Sequence, residues 1–322
     1  MTQSSPAMPP LPSGSNGIGP CPEGDRPAAL AVLYRRVHEA LRPGLIADAL
    51  DEASQGRVDL SGLWVARRRG KIVGALLTHS LAGRAVAFWP PEVEGFWGRA
   101  SMAEGLVRAA LEQASGDGAG LAQALLDESS PKHAAADLAR AGMPRVADLI
   151  SMTRGTDGKP IDRGDAPSME WRPFSDDTRD AFRAALTASY RGSLDMPELE
   201  GIRSLDDVLA SHSAGGRFDP GRWQLGTIPG EPSASAVVLL ADQPDRSAWE
   251  VAYLGLTPAA RGRGLGLTAL ARALELAAPY VIRVELAVDS RNTPALRLYE
   301  RAGFREFDRR SVHLAVFRPA AG

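Results

Sequence analysis

The chain has 322 residues, of which 44% are hydrophobic and 24% charged, with a net charge of -2. This length is typical of two soluble domains, and the balanced charge excludes the basic surface of a nucleic-acid-binding protein. No segment approaches the roughly 18 consecutive apolar residues of a membrane span, and the first residues lack the basic start and apolar core of a signal peptide. We therefore expect a cytoplasmic protein with no nucleic-acid or membrane partner.

The N-terminal residues 1–25 are rich in Pro, Gly and Ser and predict a disordered tail. The single cysteine, Cys21, lies in this segment, so no intrachain disulfide can form and a catalytic thiol is not expected there. His79 and His133 are isolated from other metal-ligating residues. We expect no metal site.

A first domain is predicted over residues 26–154, where helical and strand patterns follow one another. In chain order, these are helices at 28–41 and 42–53, a hairpin at 63–66 and 72–77, a strand at 84–89, a helix at 102–113, a strand at 122–126, a helix at 132–140 and a strand at 146–152.

A Gly-, Asp- and Pro-rich segment at 155–167 predicts a linker, after which a second domain is predicted over 168–322. Its patterns predict a strand at 169–172, helices at 177–190 and 205–211, strands at 223–228, 236–241 and 249–256, a helix at 265–277, a strand at 281–288, a helix at 294–302 and a strand at 304–317. Since the two halves share one order of elements, we interpret the chain as a duplicated α/β domain.

One glycine-rich loop, within LGLTPAARGRGLG at 254–266, joins a predicted strand to a predicted helix. Glycines allow close approach of a bound oxyanion, and the first N–H groups of the helix offer donors at the positive end of a dipole. Arg261 and Arg263 add positive charge. The pattern favours a phosphate site, although an ordinary glycine-rich turn has the same composition.

A second motif, DSRNTPALRLYERAGF at 289–304, follows the next predicted strand. Thr293 can cap a helix that has Pro294 at its first position, and Gly303 suits its end. Tyr299 shares a helical face with apolar residues, and by itself this pattern favours a core aromatic with a satisfied hydroxyl.

Together, the R-x-x-G-x-G loop and the N-x-P-A-x-x-L-Y-x-x-x-G-F motif resemble the two cofactor-binding motifs of the GNAT N-acetyltransferase superfamily. The resemblance implies a mixed, mostly antiparallel sheet with one central parallel pair and helices on both faces. It also implies acetyl-CoA as co-substrate, with the pyrophosphate held by N–H groups of 263–267, and a strand at 251–256 that splays from its neighbour to pair with the pantetheine arm. Tyr299 would donate a proton to the leaving thiolate. The implied cofactor-binding residues are Leu254, Gly255, Leu256, Arg261, Gly262, Arg263, Gly264, Leu265, Gly266, Leu267, Asn292 and Tyr299.

The strand WEVAYLGL at 249–256 resembles that of the mycothiol synthases, which are tandem GNAT enzymes of similar length. That resemblance implies Glu250 as the base, although a solvated carboxylate at a strand edge is equally compatible with the sequence. The segment at 190–200 would wall the acceptor site, where Asp195 and Glu198 could attract a cationic amine or simply lie in a solvated acidic loop.

The N-terminal half departs from both motifs, since FWGRAS at 96–101 lacks the G-x-G and Leu138 stands in the place of Tyr299. We expect a degenerate domain there and an N-acetyltransferase in the C-terminal half that acts on a primary amine of a small molecule. Acetylation of a protein N-terminus or lysine, and a non-catalytic acetyl-CoA sensor or interaction module, remain alternatives.

Overall fold

The computed structural model describes residues 17–317. These fall into two compact units. The N-terminal unit holds the residues up to Val146 together with those from Ser311 onward, and the C-terminal unit is Ala147–Arg310.

The first part of the chain, which ends near Val146, contains both strands and helices. Its elements are β1 (Gly17–Pro20), α1 (Arg26–Leu33), α2 (Arg42–Ser54), β2 (Leu63–Arg68), β3 (Lys71–Leu81), β4 (Ala85–Phe88), β5 (Glu92–Val93), α3 (Arg99–Gly116), β6 (Leu121–Leu126) and α4 (Ala134–Arg140).

The second part begins with β7 and then follows a similar order of elements. Its elements are β7 (Arg145–Gly155), β8 (Glu170–Pro173), α5 (Arg179–Tyr190), α6 (Leu205–Ala214), β9 (Trp223–Thr227), β10 (Ala236–Gln243), β11 (Ala248–Leu256), α7 (Leu265–Ala277), β12 (Arg283–Asp289), α8 (Thr293–Arg301) and β13 (Arg305–Val316).

Each unit contains a mostly antiparallel arrangement of strands with one parallel pair. In the N-terminal unit, the strands run β1-β2-β3-β4-β6-β13, and β4 and β6 are parallel. In the C-terminal unit, they run β8-β9-β10-β11-β12-β7, and β11 and β12 are parallel. The predicted mixed α/β class, with two domains of like strand order in tandem, is confirmed.

The last strand of each half pairs with strands of the other half, which differs from the predicted domain division. Strand β7 pairs with β12 through residues 149–155, while β13 pairs with β6 through residues 311–316. The predicted domains 26–154 and 168–322, with a linker at 155–167, assigned each last strand to the domain that precedes it in sequence. The units instead divide at Val146 and Arg310, because hydrophobic alternation marks a strand without specifying which sheet edge it joins.

The predicted tail at 1–25 needs correction over its last residues, whereas residues 1–16 lie outside the described part of the chain. Gly17–Pro20 pairs with β2, and Ile18 packs against the core beside α3. Cys21 donates its N–H to the Leu63 carbonyl, and burial raises the pKa of its thiol to about 12. Backbone pairing orders this segment despite its composition, and the protonated thiol is a poor nucleophile.

Hydrophobic clusters lie on both faces of each set of strands. In the C-terminal unit, α7 and α8 cover one face and α5 covers the other, where Phe182, Leu186 and Trp223 pack together. Strand β10 is buried on both faces from Ala236 to Ala241, as the continuous apolar run AVVLLA requires. The N-terminal unit has the same three layers.

Within residues 17–317, none of the helices combines the length and apolar character needed to cross a lipid bilayer.

Candidate active site

The parallel pair β11 and β12 separates part of the way along its length. The strands are paired only where Trp249–Val251 faces Val284–Leu286. On its other side, β11 pairs with β10, and the register skips Ala252 opposite Leu239 and Leu240. A bulge bends the strand that contains the extra residue, so Ala252 turns β11 away from β12 where their pairing ends.

The splay leaves backbone donors of β11 without a neighbouring strand. Thr257 donates its N–H to Ser235 on the β10 side. Because N–H groups alternate between the two edges of a strand, those of Leu254 and Leu256 point to the opposite edge, where β12 has diverged. They can pair with an extended ligand or polarise a carbonyl.

A cavity of about 740 Å³ lies between the diverging strands and the helices α7 and α8; we call it the splay cavity. It is lined by every residue predicted to bind the cofactor except Arg263. The two distant sequence motifs therefore meet at one site. The lining residues from the predicted set are Leu254, Gly255, Leu256, Arg261, Gly262, Gly264, Leu265, Gly266, Leu267, Asn292 and Tyr299.

The start of α7 is open to this cavity because glycines surround it. Gly264, at φ 77°, is the N-cap of α7, and Gly262 is at φ 75° with no heavy atom within 4 Å of the place that a Cβ would occupy. A Cβ on Gly266 would come within 2.3 Å of Leu298 on α8. These glycines let α7 approach α8 and present its first N–H groups, an arrangement that suits a pyrophosphate.

The two arginines of the loop have different environments. Arg261 donates to the carbonyl oxygens of Ser189, Gly192 and Leu256 at 2.8–3.3 Å, and so ties the end of α5 to the loop. Arg263 forms an ion pair with Glu231 at 2.9 Å, outside the splay cavity. Arg261 therefore supports the loop at the start of α7, residues 262–267, which we call the phosphate cradle, whereas the Arg263 side chain is paired with Glu231.

Tyr299 lies on α8 with 8% of its surface exposed and lines the splay cavity. Burial, followed by the negative charge of Asp195, raises the pKa of its hydroxyl. The group is therefore protonated at neutral pH and can donate a proton. Asn292, at the start of α8, accepts the N–H of Ala295 with its side-chain oxygen, so Asn292 caps this helix instead of Thr293.

A second cavity, of about 460 Å³, lies beside the segment that follows α5; we call it the side cavity. Tyr190, Tyr253 and His212 line it, with 4.8 Å between the two tyrosine ring centroids. Burial, together with the positive charge of Arg203, lowers the pKa of His212 to about 4, so its ring is neutral. The two cavities share Ser193, Asp195, Ala252 and Tyr253 as lining residues.

The two acidic residues predicted on the acceptor side are separated by the structure. Asp195 lines both cavities. Glu198 lines neither of them and forms a two-pronged ion pair with Arg291 at 2.6 and 2.8 Å, which lowers the pKa of Glu198. Arg291 also binds Asp289, so Glu198 belongs to a surface charge network.

Glu250 is not brought to either cavity. It precedes the bulge, within the paired part of β11, and its carboxylate accepts hydrogen bonds from Gln243 at 3.0 Å and Arg246 at 2.6 Å. Its side chain is 30% exposed. The geometry is that of an ion-paired carboxylate at the surface.

Several lining residues were not anticipated from the sequence. Arg297 and Arg301 on α8 line the splay cavity and add positive charge near the phosphate cradle. Ser189 hydrogen-bonds the Tyr253 hydroxyl at 2.8 Å between the two cavities. The four-residue spacing of Arg297 and Arg301 on one helical face could have predicted this pair from the sequence. The contact of Ser189 on α5 with Tyr253 on β11 has no sequence signal.

In the N-terminal unit, an ion pair engages the start of α3, the helix that corresponds to α7. Gly98, at φ 70°, caps α3 as Gly264 caps α7, but Arg99 then donates two hydrogen bonds, at 2.6 and 2.8 Å, to the fully buried Asp137 of α4. This ion pair joins the start of α3 to α4. The corresponding helices of the C-terminal unit, α7 and α8, line the splay cavity.

Comparison with known proteins connects this geometry to a family. Residues 189–304 match the acetyltransferase (GNAT) family, so the chain contains a GNAT domain, and the predicted resemblance is confirmed. A GCN5-related N-acetyltransferase from Sphaerobacter thermophilus has a similar fold, with a TM-score of 0.56 at 19% identity over 94% of this chain and 96% of that one.

Four curated relatives carry the name mycothiol acetyltransferase, and two of them match over 184 residues. The protein from Kineococcus radiotolerans is 36% identical over 184 residues, covering 53% of this chain and 54% of the relative. The protein from Thermomonospora curvata is 33% identical over 184 residues, covering 54% and 57%. The chain thus spans about half the length of the curated relatives that it matches.

Proposed function

We propose that the protein is an acyltransferase that moves the acetyl group of acetyl-CoA to a primary amine of a small molecule, by direct attack in a ternary complex. The observation that carries the proposal is the splay cavity, where cleft-facing N–H groups, an open helix start and a buried tyrosine meet. The family match and the relatives' names support acetyl transfer.

Each feature of the cavity has a chemical role in this proposal. The N–H groups at the start of α7 hold the pyrophosphate of the cofactor, and Arg297 and Arg301 neutralise part of its charge. The N–H groups of Leu254 and Leu256 pair with the pantetheine arm and polarise the thioester carbonyl. Tyr299 donates a proton to the leaving thiolate.

The acceptor reaches the thioester through the side cavity, since the two cavities meet at Asp195, Ala252 and Tyr253. A volume of about 460 Å³ suits a small-molecule amine. This favours a small acceptor over a lysine of a folded protein.

The test is a screen of primary amines with acetyl-CoA, in which the release of CoA thiol is followed and N-acetylated product is confirmed by mass spectrometry. The proposal predicts amine-dependent thiol release. If acetyl-CoA binds tightly but none of a broad set of primary amines is acetylated, the domain is a non-catalytic sensor and the proposal fails.

A further inference from the structure

Direct attack requires a neutral amine, and a primary alkylamine is protonated near pH 7. A group that takes this proton must reach both the acceptor and the thioester. Two carboxylates line the side cavity, Asp195 and Glu200. Glu200 is exposed and accepts the Gly192 N–H at 3.3 Å, whereas Asp195 also lines the splay cavity.

The backbone holds Asp195 in place from two sides. Its carboxylate accepts the N–H of Asp289, at the end of β12, at 2.8 Å. The next residue, Met196, donates its N–H to the Asp289 carboxylate at 3.2 Å and has a φ of 48°. A non-glycine residue in this left-handed region persists only where its surroundings fix it. Asp195 is thus anchored where β12 leaves β11.

The two neighbouring carboxylates have opposite environments. Burial alone would raise the pKa of Asp289, but hydrogen bonds from Arg291 and Met196 hold it below its usual value. Burial raises the pKa of Asp195, and the negative charge of Asp289 raises it further. The hydrogen bond from the Asp289 N–H and the positive charge of Arg291 lower it, but the net shift is upward. Because the two pKa values shift in opposite directions, Asp289 remains an anion and Asp195 is the better proton acceptor of the two.

The neutral ring of His212 also lines the side cavity, but it hydrogen-bonds the Tyr190 hydroxyl at 3.1 Å and does not line the splay cavity. The other groups whose pKa values respond to the charge of Asp195 are phenols. Tyr190, Tyr253 and Tyr299 all have pKa values raised first by burial and further by the charge of Asp195. They are neutral at pH 7 and cannot act as the base. Glu250 lines neither cavity and is ion-paired with Arg246.

We propose that Asp195 is the general base that deprotonates the acceptor, an inference that rests on the proposed function. The Asp195 carboxylate takes one proton from the ammonium group of the acceptor. The neutral nitrogen then forms a C–N bond to the thioester carbonyl carbon, and the C–S bond breaks. Tyr299 gives its hydroxyl proton to the departing thiolate and regains one from the nitrogen, and Asp195 later releases its proton to solvent.

The walls of the side cavity define the class of amine that this base serves. Apart from Asp195, the inner wall combines aromatic rings of Tyr190 and Tyr253 with the apolar side chains of Leu199 and Val208. A primary amine on an aromatic or aliphatic body satisfies this wall.

The experiment compares wild type with Asp195→Asn and, as a matched control, Glu250→Gln. Asparagine retains the oxygen that accepts the Asp289 N–H, and a thermal shift with acetyl-CoA verifies folding and cofactor binding. The substrates are the amine that wild type acetylates best in the screen and its β-fluorinated analogue, whose ammonium group is a stronger acid.

Removal of the base should lower kcat/KM for the parent amine by about 100-fold and abolish the acidic limb of its pH profile. The decrease in kcat/KM should be less than about 10-fold for the fluorinated amine, because its more acidic ammonium group loses a proton more readily without a base. Glu250→Gln should remain within about threefold of wild type on both amines.

Equal losses on both amines would show that Asp195 only supports the structure, and a large loss confined to Glu250→Gln would make Glu250 the base; either result overturns the assignment while leaving acetyl transfer intact. If wild type acetylates no amine in the screen, the proposed function fails, and the assignment fails with it.

Discussion

Replacing Tyr299 with phenylalanine removes one hydroxyl from the splay cavity and little else. The ring is 8% exposed and packs against Phe304, with 6.0 Å between the ring centroids, so the fold should tolerate the change. Burial raises the pKa of this hydroxyl, so wild type retains the proton throughout the usual assay range.

Loss of a positioned proton donor costs at least about 100-fold in rate, or roughly 2.7 kcal/mol of activation free energy. We therefore expect kcat of Tyr299→Phe to fall by about 100-fold, and the dissociation constant of acetyl-CoA to change by less than about threefold. Steady-state thiol release gives the first quantity, and isothermal titration gives the second.

A matched control is Tyr280→Phe, because Tyr280 is 73% exposed and stacks on Trp249 away from the cavity. It should leave both quantities unchanged. If Tyr299→Phe keeps kcat within about threefold of wild type, the hydroxyl is not the proton donor.

Two further predictions concern stability. Because the folded-state pKa of His212 is about 4, below its ordinary 6.5, the unfolded chain binds the proton first as pH falls. The stabilisation of up to about 3 kcal/mol that is present above pH 6.5 is lost as pH falls toward 4; urea unfolding should show this slope weakened in His212→Phe and retained in the exposed His38→Asn, and an unchanged slope in His212→Phe would refute it. Asp137→Asn breaks a buried ion pair with Arg99 and should lower the free energy of unfolding of the N-terminal unit by about 3 kcal/mol, against less than about 1 kcal/mol for Asp206→Asn in an exposed pair. These four variants should all bind acetyl-CoA as tightly as wild type. A weaker acetyl-CoA affinity in Asp137→Asn would show that the N-terminal unit also contributes to binding.

The phosphate loop and the helix that carries Tyr299 were predictable from the sequence because their signals are local. Glycines at 262, 264 and 266 have left-handed dihedrals or close neighbours that exclude a side chain. Pro294 and Gly303 mark the limits of α8, although the N-cap is Asn292 and not the predicted Thr293. Their resemblance to the two cofactor-binding motifs of the GNAT superfamily implied that both segments serve one site.

Features set by tertiary pairing could not be predicted in this way. The bulge at Ala252, the pairing of β7 with β12 and the anchoring of Asp195 by Asp289 each depend on residues far apart in sequence. Glu250 and Asp195 carry the same chemical group, and only the structure shows that Asp195 lines the cavities while Glu250 pairs with Arg246.

The central claim, a single acetyl-CoA site at the start of α7, is tested most directly by isothermal titration of acetyl-CoA into wild type, Gly262→Asp and Gly56→Asp. Gly262 and Gly56 have φ values of 75° and 71°, and neither has a heavy atom within 4 Å of an added Cβ, so the backbone strain is matched. Only Gly262→Asp places a carboxylate at the phosphate cradle.

The account predicts one acetyl-CoA per chain for wild type and Gly56→Asp, and at least about a 10-fold weaker affinity for Gly262→Asp, because like charges repel at the cradle. Absence of binding to wild type, two sites per chain, or an unchanged affinity in Gly262→Asp would contradict it.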